Sequence, residues 1–171
     1  LDKIAQIQRR VFDKYGWHPA LIEDGAHSIG TKYKGKYLGN HGNFVMNSLQ
    51  AIKHITAVDG GILYCPHEEL YERAKLIRWY GIDRSPKGRT DFRCEADIEE
   101  WGFKFHMNDL CAAIGMENFK SVDTIIAKHK ENAQYYDDNL KDIKGVALLE
   151  REEGFESAFW IYTMLVDDRP S

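Results

Sequence analysis

The stretch "SLQAIKHITAVDGGILY", residues 48–64, decides how this chain reads. It sets one lysine, Lys53, five residues after Ser48 and ahead of an Asp59-Gly60-Gly61 turn. Two apolar runs of strand length, "NFVMNSL" (43–49) and "GILYCP" (61–66), bracket it. Lys53 therefore sits in a connection at a strand end. A lysine in such a loop is usually a solvated charge. A desolvated one loses its preference for the ammonium form, and the freed amine becomes a nucleophile. The surrounding sequence has to decide between these two states.

Working outward, "HPALIED" (18–24) reads as a short buried strand whose carboxyl end carries Glu23 and Asp24. "TKYKGKYLGNHG" (31–42), with three glycines and alternating Tyr33 and Tyr37, reads as a small hairpin or loop. "LDKIAQIQRRVFDKYG" (1–16) spaces Leu1, Ile4, Val11, Phe12 and Tyr15 as a helix does. "PHEELYERAKLIRWYG" (66–81) has Pro66 at a helix start, Glu68 and Glu69 in the first turn, and Gly81 as a stop. Residues 82–100 form a long polar loop. The run 107–140 carries Met107, Leu110, Ala113, Ile114, Val122, Ile125 and Ile126 at helical spacing, with a break expected at Gly115. "GVALL" (145–149) and "AFWIYTMLV" (158–166) close as strands, which puts Trp160 and Tyr162 in core alternation. Strands alternating with helices predict an α/β architecture, in which ligands bind at strand carboxyl ends. Asp24 with His27, Ser48 and Lys53 all fall at such ends or in the turns beside them.

Composition limits the alternatives. With 171 residues, 43% hydrophobic and 29% charged, the chain is a well-cored globular domain. A net charge of -4 argues against a nucleic-acid surface. No run approaches the roughly 18 apolar residues of a membrane helix, so a cytoplasmic location is expected. Cys65, Cys94 and Cys111 form no CxxC pair, no HExxH occurs, and no metal is expected. Neither GxGxxG nor GxxxxGK is present, which leaves little support for a nucleotide-binding module. The chain opens without methionine, already in a helical pattern, and closes just after a strand. Both ends read as cut, so a piece of a longer protein is expected.

Three blocks then point to one chemistry: "LIEDGAHSIGTKYKGKYLGNHG" (21–42), "NSLQAIKHITAVDGGILY" (47–64) and "WGFKFHMNDLCAAIGMENF" (101–119). Together, and in this order, they resemble the DegT/DnrJ/EryC1/StrS family of pyridoxal-phosphate-dependent sugar aminotransferases. That family shows an acid-Asp-x-Ala-Gln/His block, a Ser-Phe-x-x-x-Lys block with an acidic Gly-Gly turn, and an aromatic-Met-Asn/Thr-Asp block opening a helix. Three ordered blocks are far more specific than any one of them.

The resemblance implies roles. Lys53 is similar to the lysine that forms the internal aldimine and shuttles the proton between Cα and C4′. Asp24 resembles the partner of the pyridine nitrogen, His27 the residue near the 3′ oxygen, and Ser48 the phosphate-binding serine, with Asn47 beside it. The family site lies at a homodimer interface, and "GFKFHMND" resembles the segment supplied by the partner subunit. Lys104 stands where the common pattern has Asn, and a lysine still reaches a phosphate as a point charge. His54, His106 and Asn108 are expected on the substrate side, although capping accounts for Asn108 equally well. The Trp101, Phe103, Phe105 cluster is expected in core or interface packing.

The implied fold is α/β: part of the fold-type-I large domain with its cofactor-binding sheet (1–80), a connecting loop (81–105), and the beginning of the smaller carboxyl-terminal α+β domain (106–171). The implied reaction is transamination. Glutamate converts pyridoxal 5′-phosphate to pyridoxamine phosphate, which passes the amine to a keto group on a nucleotide-linked deoxy sugar. Dehydrating relatives carry histidine in place of Lys53, and "QAIKHIT" is similar to perosamine-type enzymes. The family's amino-terminal half, with its phosphate loop and stacking aromatic residue, is absent from these 171 residues. That leaves a second reading open, a non-catalytic remnant that self-associates through uncovered sheet edges and apolar faces without holding the cofactor productively.

Overall fold

A computed structural model describes residues 1–84 and 98–167. The expected polar loop over 82–100, with Pro86, Gly88 and Cys94, falls largely outside them. The architecture is mixed α/β, as expected. Helix α1 (Asp2–Tyr15) ends on Gly16, whose φ of 74° gives a left-handed cap. Strand β1 (Ile22–Asp24) follows, then the hairpin β2 (Lys32–Tyr33) and β3 (Lys36–Tyr37), then β4 (Phe44–Ser48) and β5 (Gly61–Tyr64). After α2 (Glu68–Ile77) come α3 (Asp109–Phe119), α4 (Val122–Leu140), β6 (Val146–Leu148), β7 (Phe155–Glu156) and β8 (Met164–Val166).

The sheet that matters has the order β1-β4-β5, with β1 parallel and β5 antiparallel to β4. Asp24 pairs with Met46, two residues before Ser48. Strand alternation therefore puts Asp24, Met46 and Ser48 on one face, and Val45 and Asn47 on the other. The second face is the covered one. Val45 is fully buried, and Leu49, Ile55, Ala57 and Val122 form a core with Ile29, Ile62, Met107, Cys111 and Ile126 packed on it. That core draws side chains from both sides of the expected division near residue 106. On the first face Ile22, Met46 and Leu63 stay exposed, as do Ile4, Ile7 and Phe12 on α1. The strand expected to be buried at 18–24 is thus a three-residue edge whose outer face is left uncovered by the described residues.

Two further differences have local causes. The helix break falls at Lys120 and Ser121, not Gly115. Gly115 is buried inside α3, where an added Cβ would stand 3.1 Å from the Ala57 Cβ, so the glycine serves close packing. The last expected strand is cut to Met164–Val166, because Phe159 adopts φ 52° and turns the chain out of an extended run. Among the described residues no helix is long and apolar enough to cross a membrane.

Candidate functional site at the carboxyl ends of β1 and β4

The carboxyl ends of two parallel neighbours, β1 and β4, deliver Asp24 and Ser48 to one end of the sheet. The Asp24 Oδ1 accepts from the Ala26 N–H at 3.1 Å, which shapes the turn and leaves the carboxylate exposed. Gly25 is required next. A Cβ there would stand 2.6 Å from the Ser28 Oγ and 2.9 Å from the Asn47 Nδ2. That close approach lets the buried Asn47 amide donate to the Gly25 carbonyl and, at 3.2 Å, to Ser28. Asn47 thus ties β4 to the turn after β1 from the inner face, where it also borders a cavity of about 490 Å³ with Tyr64, Val122 and Ile126.

Beyond β4 the chain turns at once. Ser48 Oγ accepts from Gln50 N–H at 3.3 Å, and Lys53 N–H donates to the Gln50 carbonyl at 3.0 Å. The return is fixed by α3: Asn118 donates to the Thr56 carbonyl at 2.9 Å, and Gly60, at φ 146°, leaves room for Met107. Lys53 is consequently half-buried. Its Nζ lies 4.2 Å from the centroid of the Trp160 ring, and His27 stacks on the same indole at 4.0 Å. The Trp160 N–H donates to the Ile52 carbonyl at 2.9 Å. Among the described residues neither Lys53 nor Asp24 takes part in an ion pair. An amine, a carboxylate, an imidazole and a hydroxyl are therefore held at one end of one sheet with their polar ends available.

Trp160 corrects the expectation of core alternation. The sequence signal for it was hidden, because the turn at Phe159 that aims the indole at Lys53 depends on contacts over 100 residues away in the chain. Gly25, Ser28 and His129 were likewise not singled out.

The expected substrate-side residues separate. His54 turns inward: it is 6% exposed, its Nε2 has no partner, and its ring meets the His129 edge at 4.5 Å. Burial first, then the neighbouring His129, lowers its pKa to about 4, so it is neutral at pH 7. His106 leans on the Trp79 ring at 4.0 Å, with Nδ1 buried and unpartnered. Asn108 caps α3 by accepting from Cys111 N–H at 2.9 Å. Lys104 is exposed and bridges its backbone to Trp79 at the end of α2. Trp101 and Phe105, 73% and 72% exposed, meet Phe103 at the surface, the first edge-on and the second stacked, so the cluster is not part of the core.

Known proteins share this fold. The model of the DegT/DnrJ/EryC1/StrS aminotransferase family matches residues 7–170. The chain is 30% identical over 169 residues to an uncharacterized protein of Methanocaldococcus jannaschii, covering 98% of this chain and 42% of that one. It is 34% identical over 134 residues to the UDP-4-amino-4-deoxy-L-arabinose--oxoglutarate aminotransferase of Shewanella sediminis, covering 75% and 34%. The crystal structure of AtS13 from Actinomadura melliaura superposes with a TM-score of 0.92 at 47% identity, covering 99% of this chain and 44% of that one. The sugar aminotransferase CalS13 from Micromonospora echinospora gives 0.91 at 38%, covering 99% and 45%. The chain thus spans less than half the length of these relatives. Its mixed α/β fold is that of the matching part of sugar aminotransferases, and the match runs through every block around Lys53. On these grounds the protein belongs to the DegT/DnrJ/EryC1/StrS aminotransferase family.

Proposed function

We propose that the chain contributes the lysine-bearing half of a pyridoxal-phosphate-dependent aminotransferase acting on a nucleotide-linked keto-deoxy sugar, with glutamate as amino donor. The observation that carries this reading is the convergence of Lys53, Asp24, His27 and Ser48 on one sheet end, with Lys53 half-buried against an aromatic face. The donor set suits the cofactor: an amine for its aldehyde carbon, a carboxylate for its ring nitrogen, an imidazole for its phenolic oxygen and a hydroxyl for its phosphate. Bound pyridoxal phosphate supplies an electron sink for the carbon that gains or loses the amine.

The protein's own groups do the rest. Asp24, anchored by the Ala26 N–H, holds negative charge where a pyridinium N–H needs an acceptor. Ser48 offers a hydroxyl proton to a phosphate oxygen. Lys53 Nζ, alternately protonated and free, accepts a proton from the substrate carbon and returns it. The Trp160 ring shields that amine from water on one side. Lys104 and the exposed aromatic residues beside it face away from the chain's own core, which suits a segment serving the site of a second subunit in a homodimer. On this reading residues 1–80 carry cofactor-binding structure, 81–105 connect, and 106–171 begin the smaller domain.

Mixing the purified chain with pyridoxal phosphate and trapping with borohydride tests this. A reduced adduct on the peptide holding Lys53, absent from Lys53→Ala, is expected. Equal labelling of the two proteins would favour the non-catalytic reading, for which the exposed Ile22, Met46 and Leu63 face speaks.

A further inference from the structure

Phe159 occupies the left-handed region at φ 52°, a conformation that costs any residue with a Cβ. Such a turn persists only where its surroundings fix it. Three bonds do so. Ala158 N–H donates to the Thr31 Oγ1 at 3.2 Å, and Phe159 N–H donates to the Ser157 Oγ at 3.0 Å. The Phe159 carbonyl lies 2.9 Å from the Nδ1 of His129 on α4. A carbonyl can only accept, so His129 carries its proton on Nδ1 and donates. The next residue is Trp160, whose indole lies over Lys53 and stacks on His27.

From this chain of contacts we infer that Trp160 is a wall of the lysine site that limits access to the Lys53 amine, and that His129 is the residue that positions it. The inference takes from the proposed function only that Lys53 is the reactive group. His129 does not touch Lys53, and its ring meets only the edge of the inward-facing His54. It acts through the Phe159 carbonyl, holding the turn in the one conformation that aims the indole inward. The backbone bond at Ala158 and the indole bond to the Ile52 carbonyl fix the turn's two ends, and His129 fixes its middle. Without its donor the turn loses the partner that offsets the positive φ, and extended conformations that carry Trp160 away from Lys53 become accessible.

Reductive methylation of the cofactor-free chain, followed residue by residue by peptide mass spectrometry, reads access to the amine directly. The exposed Lys104 serves as the internal standard. Lys53 is expected to react several-fold more slowly than Lys104 in the unaltered chain and about as fast in Trp160→Ala. His129→Ala is expected to raise the Lys53 rate by a similar factor. His129→Asn keeps a donor for the carbonyl and is expected to restore most of the protection. Phe159→Gly, which adopts φ 52° without strain, is expected to restore protection in the His129→Ala background. Unchanged Lys53 rates in Trp160→Ala would overturn the wall. Equal acceleration in His129→Ala and His129→Asn, with no effect of Phe159→Gly, would overturn the positioning role. No cofactor enters this measurement, so failure of the chain to hold pyridoxal phosphate would sink the proposed function and leave this inference standing.

Discussion

Lys53 and Lys104 stand in two of the blocks that carry the family resemblance, Lys53 on its pattern and Lys104 off it, and the fold treats them oppositely. Around Lys53 several elements meet: Trp160 lies against its amine, His27 from the β1 turn stacks on that indole, and Asn118 of α3 bonds to the Thr56 carbonyl three residues on. Lys104 lies between two backbone bonds, Phe103 N–H to the Ile77 carbonyl at 2.7 Å and Phe105 N–H to the Arg78 carbonyl at 2.9 Å, both made to the end of α2. The first region encloses its lysine with groups from the same chain. The second displays its lysine on a short strap. A site that completes itself needs side chains brought in from several elements, whereas a strap serving another surface needs only backbone anchorage to one.

The largest test strikes the strap. Gly81, at φ 79°, gives way to the Glu100 carbonyl, and a Cβ on Gly102 would stand 2.5 Å from the Ile77 carbonyl and 2.6 Å from Gly81 N. Backbone atoms cannot yield as a flexible side chain can, so Gly102→Ala is expected to cost several kcal/mol locally, roughly 3 or more. Hydrogen exchange should show Phe103 and Phe105 amides losing protection while the Lys53 amide keeps its own. Loss of protection in both regions together would break the comparison.

The next effect belongs to the enclosed region. His54 has a pKa of about 4 when folded against an ordinary 6.5, so the unfolded chain binds its proton first. Stability from keeping this ring neutral is full above pH 6.5 and falls as pH drops toward 4. The shift caps the loss at about 3 kcal/mol. Denaturant midpoints across that window should decline in the unaltered chain, and the decline should flatten in His54→Gln. Gly102 variants, remote from His54 in the fold's other region, should leave the slope of that decline unchanged.

A smaller cost, about 1 kcal/mol, is expected from Asn108→Ala, which removes the cap on α3. Asn108→Asp should recover most of it, because aspartate accepts from the same N–H and suits a helix N-terminus. A urea titration suffices to separate the three proteins.

The legibility of the sequence followed the same division. Elements with local causes were readable: α1 and α2 from periodicity, the β2-β3 hairpin from glycine spacing, the strands around Lys53 from their apolar runs. Strand ends offered Asp24 and Ser48 as candidates because β1 and β4 are parallel neighbours, and it was the resemblance of the surrounding blocks that singled them out with Lys53. Trp160 was not, since "AFWIYTMLV" alternates well enough for a strand, and only the His129 and Thr31 contacts turn it. Gly115 was misread as a break because a glycine's steric reason, here Ala57, lies on another element. His54 looked like a substrate group beside Lys53, yet the next residue in a tight turn points the other way.

The smallest effect on stability carries the sharpest contrast. Lys104 is exposed, so Lys104→Ala should leave unfolding within about 0.5 kcal/mol of the unaltered chain. If its ammonium serves an anion in a neighbouring subunit, the variant should still weaken retention of a phosphorylated cofactor. The defect should then be transferable. In an assembly where each site takes Lys53 from one chain and Lys104 from the other, mixing Lys53→Ala with Lys104→Ala produces hybrids with one site lacking both lysines and one lacking neither. Random pairing makes half of the dimers hybrids, so retention should return to about a quarter of the unaltered level. If both lysines of a site came from one chain, every hybrid site would lack one of them and mixing would recover nothing. That outcome would place Lys104 in the same chain's site as Lys53 and remove the strap from any role in a second subunit.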